Sequence, residues 1–401
     1  MKCDPNVDAA DLCRIQPATP APSRLDHLDM LRGIAALAVM AQHLRGFVFQ
    51  TYSSNPAAVD TVLAKIFYFS TGLGHQCVIV FFALSGYLVG GKSLTDLLHG
   101  RFQWPLYLAR RLTRLWLVII PAIFLTLAFD SLGLAITRGE GYDGRYWDVF
   151  NSGPSPPAGV SHDGVTLIGN IVFVQTIFVP IFGSNGPMWS LANEFWYYVF
   201  FPLIPWIILS RTNLGARIAG GLIAAALAYA LPFDLLVLGL IWVAGALAAF
   251  CASLGTLKPI WSRTAVRFLA LMILAGTILL TKMPQFGVGD LTLGFVVAAA
   301  LPVLALLPPA GFYYRNIARA LSELSYTLYL THFPLLTLIA LVCLGPDRFA
   351  PGLHGGIIFI VLFVTALAWA VLVWWCFERN TDSVYRRLVR IIRRDRLVTR
   401  S

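Results

Sequence analysis

Arg32 and His43 stand eleven residues apart in the first long apolar segment, 28–49, which reads LDMLRGIAALAVMAQHLRGFVF. At about 100° per residue, eleven helical steps return to within roughly 20° of the start and rise about 16 Å. One polar stripe therefore runs from the start of the segment into its interior. Ionisable groups inside a bilayer are costly and mark functional sites by default. A second basic group opens the segment 106–129, where YLARRLTRLW carries Arg110, Arg111 and Arg114. Arg110 and Arg114 are i, i+4 neighbours and share a helical face. Four arginines at one depth suit a polyphosphate, because each guanidinium fork binds phosphate oxygens two at a time. Glu194 lies in NGPMWSLANEFWYYVFFP, with Tyr197 and Tyr198 one turn on. Ser325, Tyr329 and His332 share a helical face in SELSYTLYLTHFP, ahead of Pro334.

These residues must be positioned by membrane helices. The chain has 401 residues, 58% hydrophobic and only 12% charged, about half the charged fraction of a soluble protein. Apolar runs follow one another near 28–49, 75–91, 106–129, 188–209, 215–231, 235–253, 265–281, 290–308, 321–344 and 355–377. The expected fold is all-α, a polytopic transmembrane helix bundle of about ten spans. A further stretch, 166–182, is ambiguous. With 166–187 not crossing and both termini cytoplasmic, 23 of the 30 Lys and Arg fall inside, six outside, and Arg32 within a span. Letting that stretch cross would turn the basic tail 386–400 outward, against the positive-inside rule. The long external loop is then about 130–187, rich in Gly, Pro, Asp and aromatic residues.

Three regions follow: a polar cytoplasmic segment 1–27, an integral membrane domain 28–380, and a basic cytoplasmic tail 381–401. Residues 1–27 contain no apolar h-region, so no cleaved signal peptide is expected. The net charge of +10 comes largely from the tail and reads as contact with the lipid bilayer, not with nucleic acid. Six cysteines form no CxxC pair, so neither a disulfide framework nor a metal site is expected.

Several ordered motifs resemble the membrane-bound acyltransferase 3 family of bacterial O-acyltransferases. They are LDMLRGIAALAVMAQH at 28–43, FFALSGYLVG at 81–90, RRLTRLW at 110–116, MWSLANEFWYYVFFPL at 188–203, SYTLYLTHFPL at 325–335 and FERN at 377–380. Asn380 stands where the family often has Pro, and Pro121 lies further past the paired arginines than is usual. The resemblance implies acyl-CoA, most often acetyl-CoA, as co-substrate, with no permanently bound cofactor. It implies transfer to a hydroxyl of a carbohydrate, a glycolipid or lipid-linked glycan, or a small natural product, at the bacterial inner membrane. Some members carry a fused extracytoplasmic domain; with the sequence ending soon after its last expected span, the stand-alone form is expected here.

Acyl transfer from a thioester needs an activated nucleophile and a stabilised oxyanion. On that reading Arg32, Arg110, Arg111 and Arg114 hold CoA phosphates and His43 meets the thioester. His43 would act as general base or carry the acyl group itself. Glu194 is expected to orient His43 or to stabilise its charged form, as carboxylates do in hydrolase triads. Tyr197, Tyr198, Tyr329 or His332 would donate to the oxyanion or position the acceptor. The rival class is a secondary transporter or flippase for a glycan or anion, using His and Glu as a proton relay; it calls for inverted repeats and broken helices, and the sequence has neither.

Overall fold

A computed structural model describes residues 25–53, 60–150, 154, 159–209 and 212–398, with side chains as far as Ile392. The expected polar N-terminal segment falls almost wholly on residues 1–24, outside this range. The structure is 79% helical, and among the described residues only isolated β-bridges occur, so the class is all-α.

The helices are α1 Asp26–Val48, α2 Val62–Ser70, α3 Gly74–Ser85, α4 Gly91–Leu98 and α5 Trp104–Thr137. There follow α6 Trp147–Phe150, α7 Gly164–Ile171, α8 Trp189–Leu209, α9 Leu214–Ala230, α10 Phe233–Leu254 and α11 Lys258–Trp261. The last are α12 Thr264–Leu280, α13 Asp290–Ala305, α14 Phe312–Ile339, α15 Leu353–Cys376 and α16 Thr381–Val398. Among the described residues, five helical stretches are long and apolar enough to cross a membrane. Each of the ten apolar segments read from the sequence falls on a helix. The ambiguous stretch 166–182 contributes only to the eight-residue α7, which at 1.5 Å per residue spans about 12 Å, well short of a bilayer core.

α1 packs most extensively on α14, and then on α3. Gly33 makes the first contact possible: a Cβ there would lie 2.4 Å from the Cβ of Leu321. It follows Arg32 directly, so the close approach fixes where that arginine enters the bundle. α3 is prolonged into α4 by a π-helical turn, Gly86–Gly90, that packs against α10. Such turns are rare and recur at functional sites. A Cβ on Gly86 would collide with the Trp242 carbonyl at 1.9 Å, so the turn and α10 touch backbone to backbone.

Two apolar cores result. One joins α3, α5, α8, α10 and α13 around Trp242, Ile79 and Ile119. The other joins α1, α14 and α15 around Met40, Phe47 and Ala366, with Tyr142 and Phe150 from the loop after α5. Phe81 packs against both. α5 runs eight residues beyond its expected end, to Thr137, where Arg138 takes a left-handed conformation. That extension brings Asp130 into the helix.

Candidate active site

His43 is the half-buried member of a histidine pair. Its Nδ1 lies 2.9 Å from Nε2 of the fully buried His332, across the α1–α14 contact. His332 Nδ1 lies 2.6 Å from the Leu328 carbonyl, which can only accept, so that nitrogen carries a proton. In the neutral ring Nε2 is then an acceptor, and His43 Nδ1 must donate to it. The network thus assigns the lone pair of His43 to Nε2, the nitrogen free for chemistry. The two rings are stacked, centroids 5.2 Å apart, and the Phe333 edge meets His43 at 4.9 Å. These contacts fix the ring plane as well as the tautomer.

Pro334 shapes the same spot. A proline inside a helix has no N–H for the carbonyl four residues back. Here that carbonyl is Leu330, and the Asn185 side chain supplies the missing donor at 2.9 Å. Asn185 also donates to Thr126 on α5 at 3.1 Å. The segment that carries α7 and runs on to α8 is thereby pinned beside the histidine pair. Asp130 anchors it further: its buried carboxylate accepts from His162 at 2.9 Å, from the Ser184 N–H at 2.7 Å and from the Ser184 hydroxyl at 2.6 Å. Gly183, at φ +58°, is needed there, since a Cβ would lie 2.3 Å from the Asp130 carboxylate. At the start of the segment Asp163 caps α7. The Ser161 hydroxyl, with the Thr166 N–H and hydroxyl, holds its carboxyl well below the usual carboxylate range.

A cleft of about 1360 Å³, counted out to its open mouth, brings all four predicted arginines together: Arg32, Arg110, Arg111 and Arg114 line it. Glu194 and Tyr198 stand on the same wall. The Glu194 carboxylate accepts from Tyr198 and, at 3.0 Å, from Ser85, whose oxygen also receives the Trp242 indole N–H at 3.1 Å. Arg32 has Arg114, Glu378, Glu194 and Tyr198 as its charged and polar neighbours. Glu378 is buried and accepts from the Thr327 N–H at 3.1 Å and from its hydroxyl at 2.5 Å. Cationic groups predominate, and among the described residues Arg111 Nε and the Tyr326 hydroxyl are buried with no hydrogen-bond partner, the Arg111 guanidinium lying over the Tyr107 and Tyr198 rings. A buried donor without an acceptor is expensive, so these donors suit an anionic, oxygen-rich ligand.

On α14 the cleft lining runs through Ser325, Tyr326 and Tyr329 and stops there. The Tyr329 hydroxyl pairs with Ser190 at 2.8 Å, and its ring meets Phe81. His332 lies one turn further along the same helix. The cleft and the histidine pair are therefore consecutive along α1 and along α14.

Two expectations from the sequence are corrected. Glu194 does not orient His43: its carboxylate is engaged by Ser85 and Tyr198 on the cleft wall, and His332 holds His43 instead. Tyr197 does not face the cleft. Its hydroxyl donates to the Leu235 carbonyl at 2.8 Å and ties α8 to α10, while Tyr198, 100° round the helix, takes the cleft position. Sequence reasoning missed Glu378, although its motif is visible, and Tyr326, one residue from the Ser325 face. It also missed Asp130, His162 and Ser184, which only an α5 longer than a bilayer brings together.

A family model described as an acyltransferase domain matches residues 25–378. Acyltransferase MdmB of Streptomyces mycarofaciens is 32% identical over 203 residues, covering 48% of this chain and 41% of that protein. The chain thus matches about two-fifths of the length of this relative. No solved structure matches. With the matched model spanning the helix that carries Arg32 and His43, the four arginines of the cleft and Glu378, the chain belongs to the acyltransferase 3 family.

Proposed function

We propose that the protein is an O-acyltransferase of the bacterial inner membrane, taking an acyl group, most simply acetyl, from acyl-CoA to a hydroxyl of a carbohydrate or lipid-linked glycan. The observation that carries this reading is the order of groups along α1 and α14, the arginine cleft first and the histidine pair beyond it. Along α1, Arg32 lies in an arginine-lined cleft, and His43, with an assigned free lone pair, lies about 16 Å deeper. An extended donor with phosphates at one end and a thioester at the other has that form.

Arg32, Arg110, Arg111 and Arg114 hold the phosphates through paired N–H groups. Glu378 keeps Arg32 and Arg114 from repelling one another when the cleft is open to water. The pantetheine arm passes Phe81 and Tyr329 to reach His43. There Nε2 takes the proton of the acceptor hydroxyl, whose oxygen attacks the thioester carbon. The C–S bond breaks and the imidazolium returns its proton to the departing thiolate. His332 Nε2 supports the charged ring through Nδ1–H, the part a carboxylate plays in hydrolases. The Tyr329 hydroxyl, turned from Ser190 towards the thioester, supplies a donor for the oxyanion. The same lone pair would carry the acyl group in a two-step route. Ten spans with both termini cytoplasmic, the orientation the charges favour, put the cleft mouth on the donor side.

The test is turnover of radiolabelled acetyl-CoA by purified protein in nanodiscs, supplied with glycan extract from cells lacking it. The expected result is release of free CoA with label in the glycan fraction. Tight acetyl-CoA binding without thiol release, or transport of a glycan without acylation, would reject the reading.

A further inference from the structure

Helix α16 has three different sides. At about 100° per residue, Tyr385, Leu388, Val389 and Ile392 fall in one sector, and they are the partly covered residues that face the bundle. Val384 and Ile391, one heptad apart, form a second sector about 100° round and are 39% and 58% exposed. Arg386, Arg387 and Arg390 form a third, about 100° further round, and are exposed. Protein, apolar surface and cations thus succeed one another around the helix. An interfacial helix needs that order when it lies beside a membrane domain, with acyl chains below and headgroups outside.

The junction with α15 supports the same level. Trp375, 54% exposed at the end of that apolar helix, carries Arg379 over its ring at 4.0 Å, a pairing suited to the headgroup boundary. The covered side of α16 is not passive. Thr381, Asp382 and Tyr385 line the arginine cleft, and Tyr385 receives the Arg110 guanidinium over its ring at 5.2 Å.

We propose that α16 is a strap that binds anionic phospholipid headgroups through Arg386, Arg387 and Arg390 and so holds Asp382 and Tyr385 at the mouth of the arginine cleft. The partner is the anionic membrane surface, chosen by charge complementarity to a cationic face that abuts an exposed apolar stripe. Only the identity of the cleft's ligand rests on the functional reading above; the lipid contact does not.

The test uses the full chain in a cysteine-free background, carrying Ile391→Cys labelled with an environment-sensitive fluorophore. It is reconstituted in nanodiscs of phosphatidylcholine with or without phosphatidylglycerol. Anionic lipid should lower quenching by aqueous iodide about threefold or more and raise quenching by nitroxide-bearing lipid chains, and high salt should reverse both. Replacing Arg386, Arg387 and Arg390 together by Gln should abolish the response. With Asp382→Cys as the probe instead, maleimide labelling should slow in anionic lipid and not in the triple variant. Quenching that ignores lipid charge, or a response that survives the triple variant, would overturn the proposal. A protein that shows this response yet transfers no acyl group supports the strap and counts only against the donor reading.

Discussion

Asp130 and the arginine cleft are two buried charged regions of one bundle, and their hydrogen-bonding inventories differ. At the Asp130 carboxylate the inventory closes: it accepts from three donors, one on His162 and two on Ser184. Around the cleft it stays open. Four arginines line it, only Arg32 and Arg114 have Glu378 and Glu194 as neighbours, and among the described residues Arg111 Nε and the Tyr326 hydroxyl find no acceptor. A closed set stabilises a fold and asks for nothing more, whereas an open set of donors is costly until an anion arrives. The comparison separates the buried charge that builds the protein from the buried charge that serves its chemistry.

The severest challenge to that division is His43→Ala. Loss of a general base is typically worth about 10²–10⁴-fold, so acyl transfer should fall at least about 10²-fold while the protein still elutes as a folded species. A nearly active variant would move the chemistry elsewhere. His332→Ala should follow, lowering kcat roughly tenfold or more with the donor KM unchanged, because the His43 tautomer is no longer fixed. His332→Asn, which can offer a carbonyl to His43 Nδ1, should recover part of it; recovery absent at matched expression would deny the orienting role.

Arg32→Lys keeps the charge and loses the fork, so the donor KM should rise about tenfold with kcat nearly constant. An unchanged KM would remove Arg32 from the phosphate site. The finest discrimination comes from a pair of variants. Asp130→Asn should lower unfolding stability by about 1 kcal/mol or more and leave the donor KM as it was. Tyr326→Phe should leave the thermal midpoint unmoved and weaken the donor by a few-fold, the size of one hydrogen bond. Exchange of those two outcomes would invert the assignment of the closed and open regions.

Much of the site could be read along single helices. The stripe from Arg32 to His43 follows from the helical period alone, as does the shared face of Arg110 and Arg114. Pro334 announces a freed carbonyl at Leu330 by the same arithmetic. What could not be read is which residue from another helix answers each of these. Tyr197 and Tyr198, three and four residues from Glu194, both lie about one turn from it, and only the rotation of α8 against α10 sends one to the Leu235 carbonyl and the other to the cleft.

The sequence by itself therefore determined the all-α membrane class and the shared helical face of Arg32 and His43, because these depend on period, hydropathy and distance along one chain segment. Tertiary structure alone decided that His332, 289 positions away, holds His43, that Glu194 belongs to the cleft wall, and that Asn185 answers Pro334. Such pairings depend on helix crossing and rotation, set by close approaches such as Gly33 on Leu321 and by the packing of two cores. Their energies are summed over many small contacts across the bundle, and no local pattern in the chain encodes that sum.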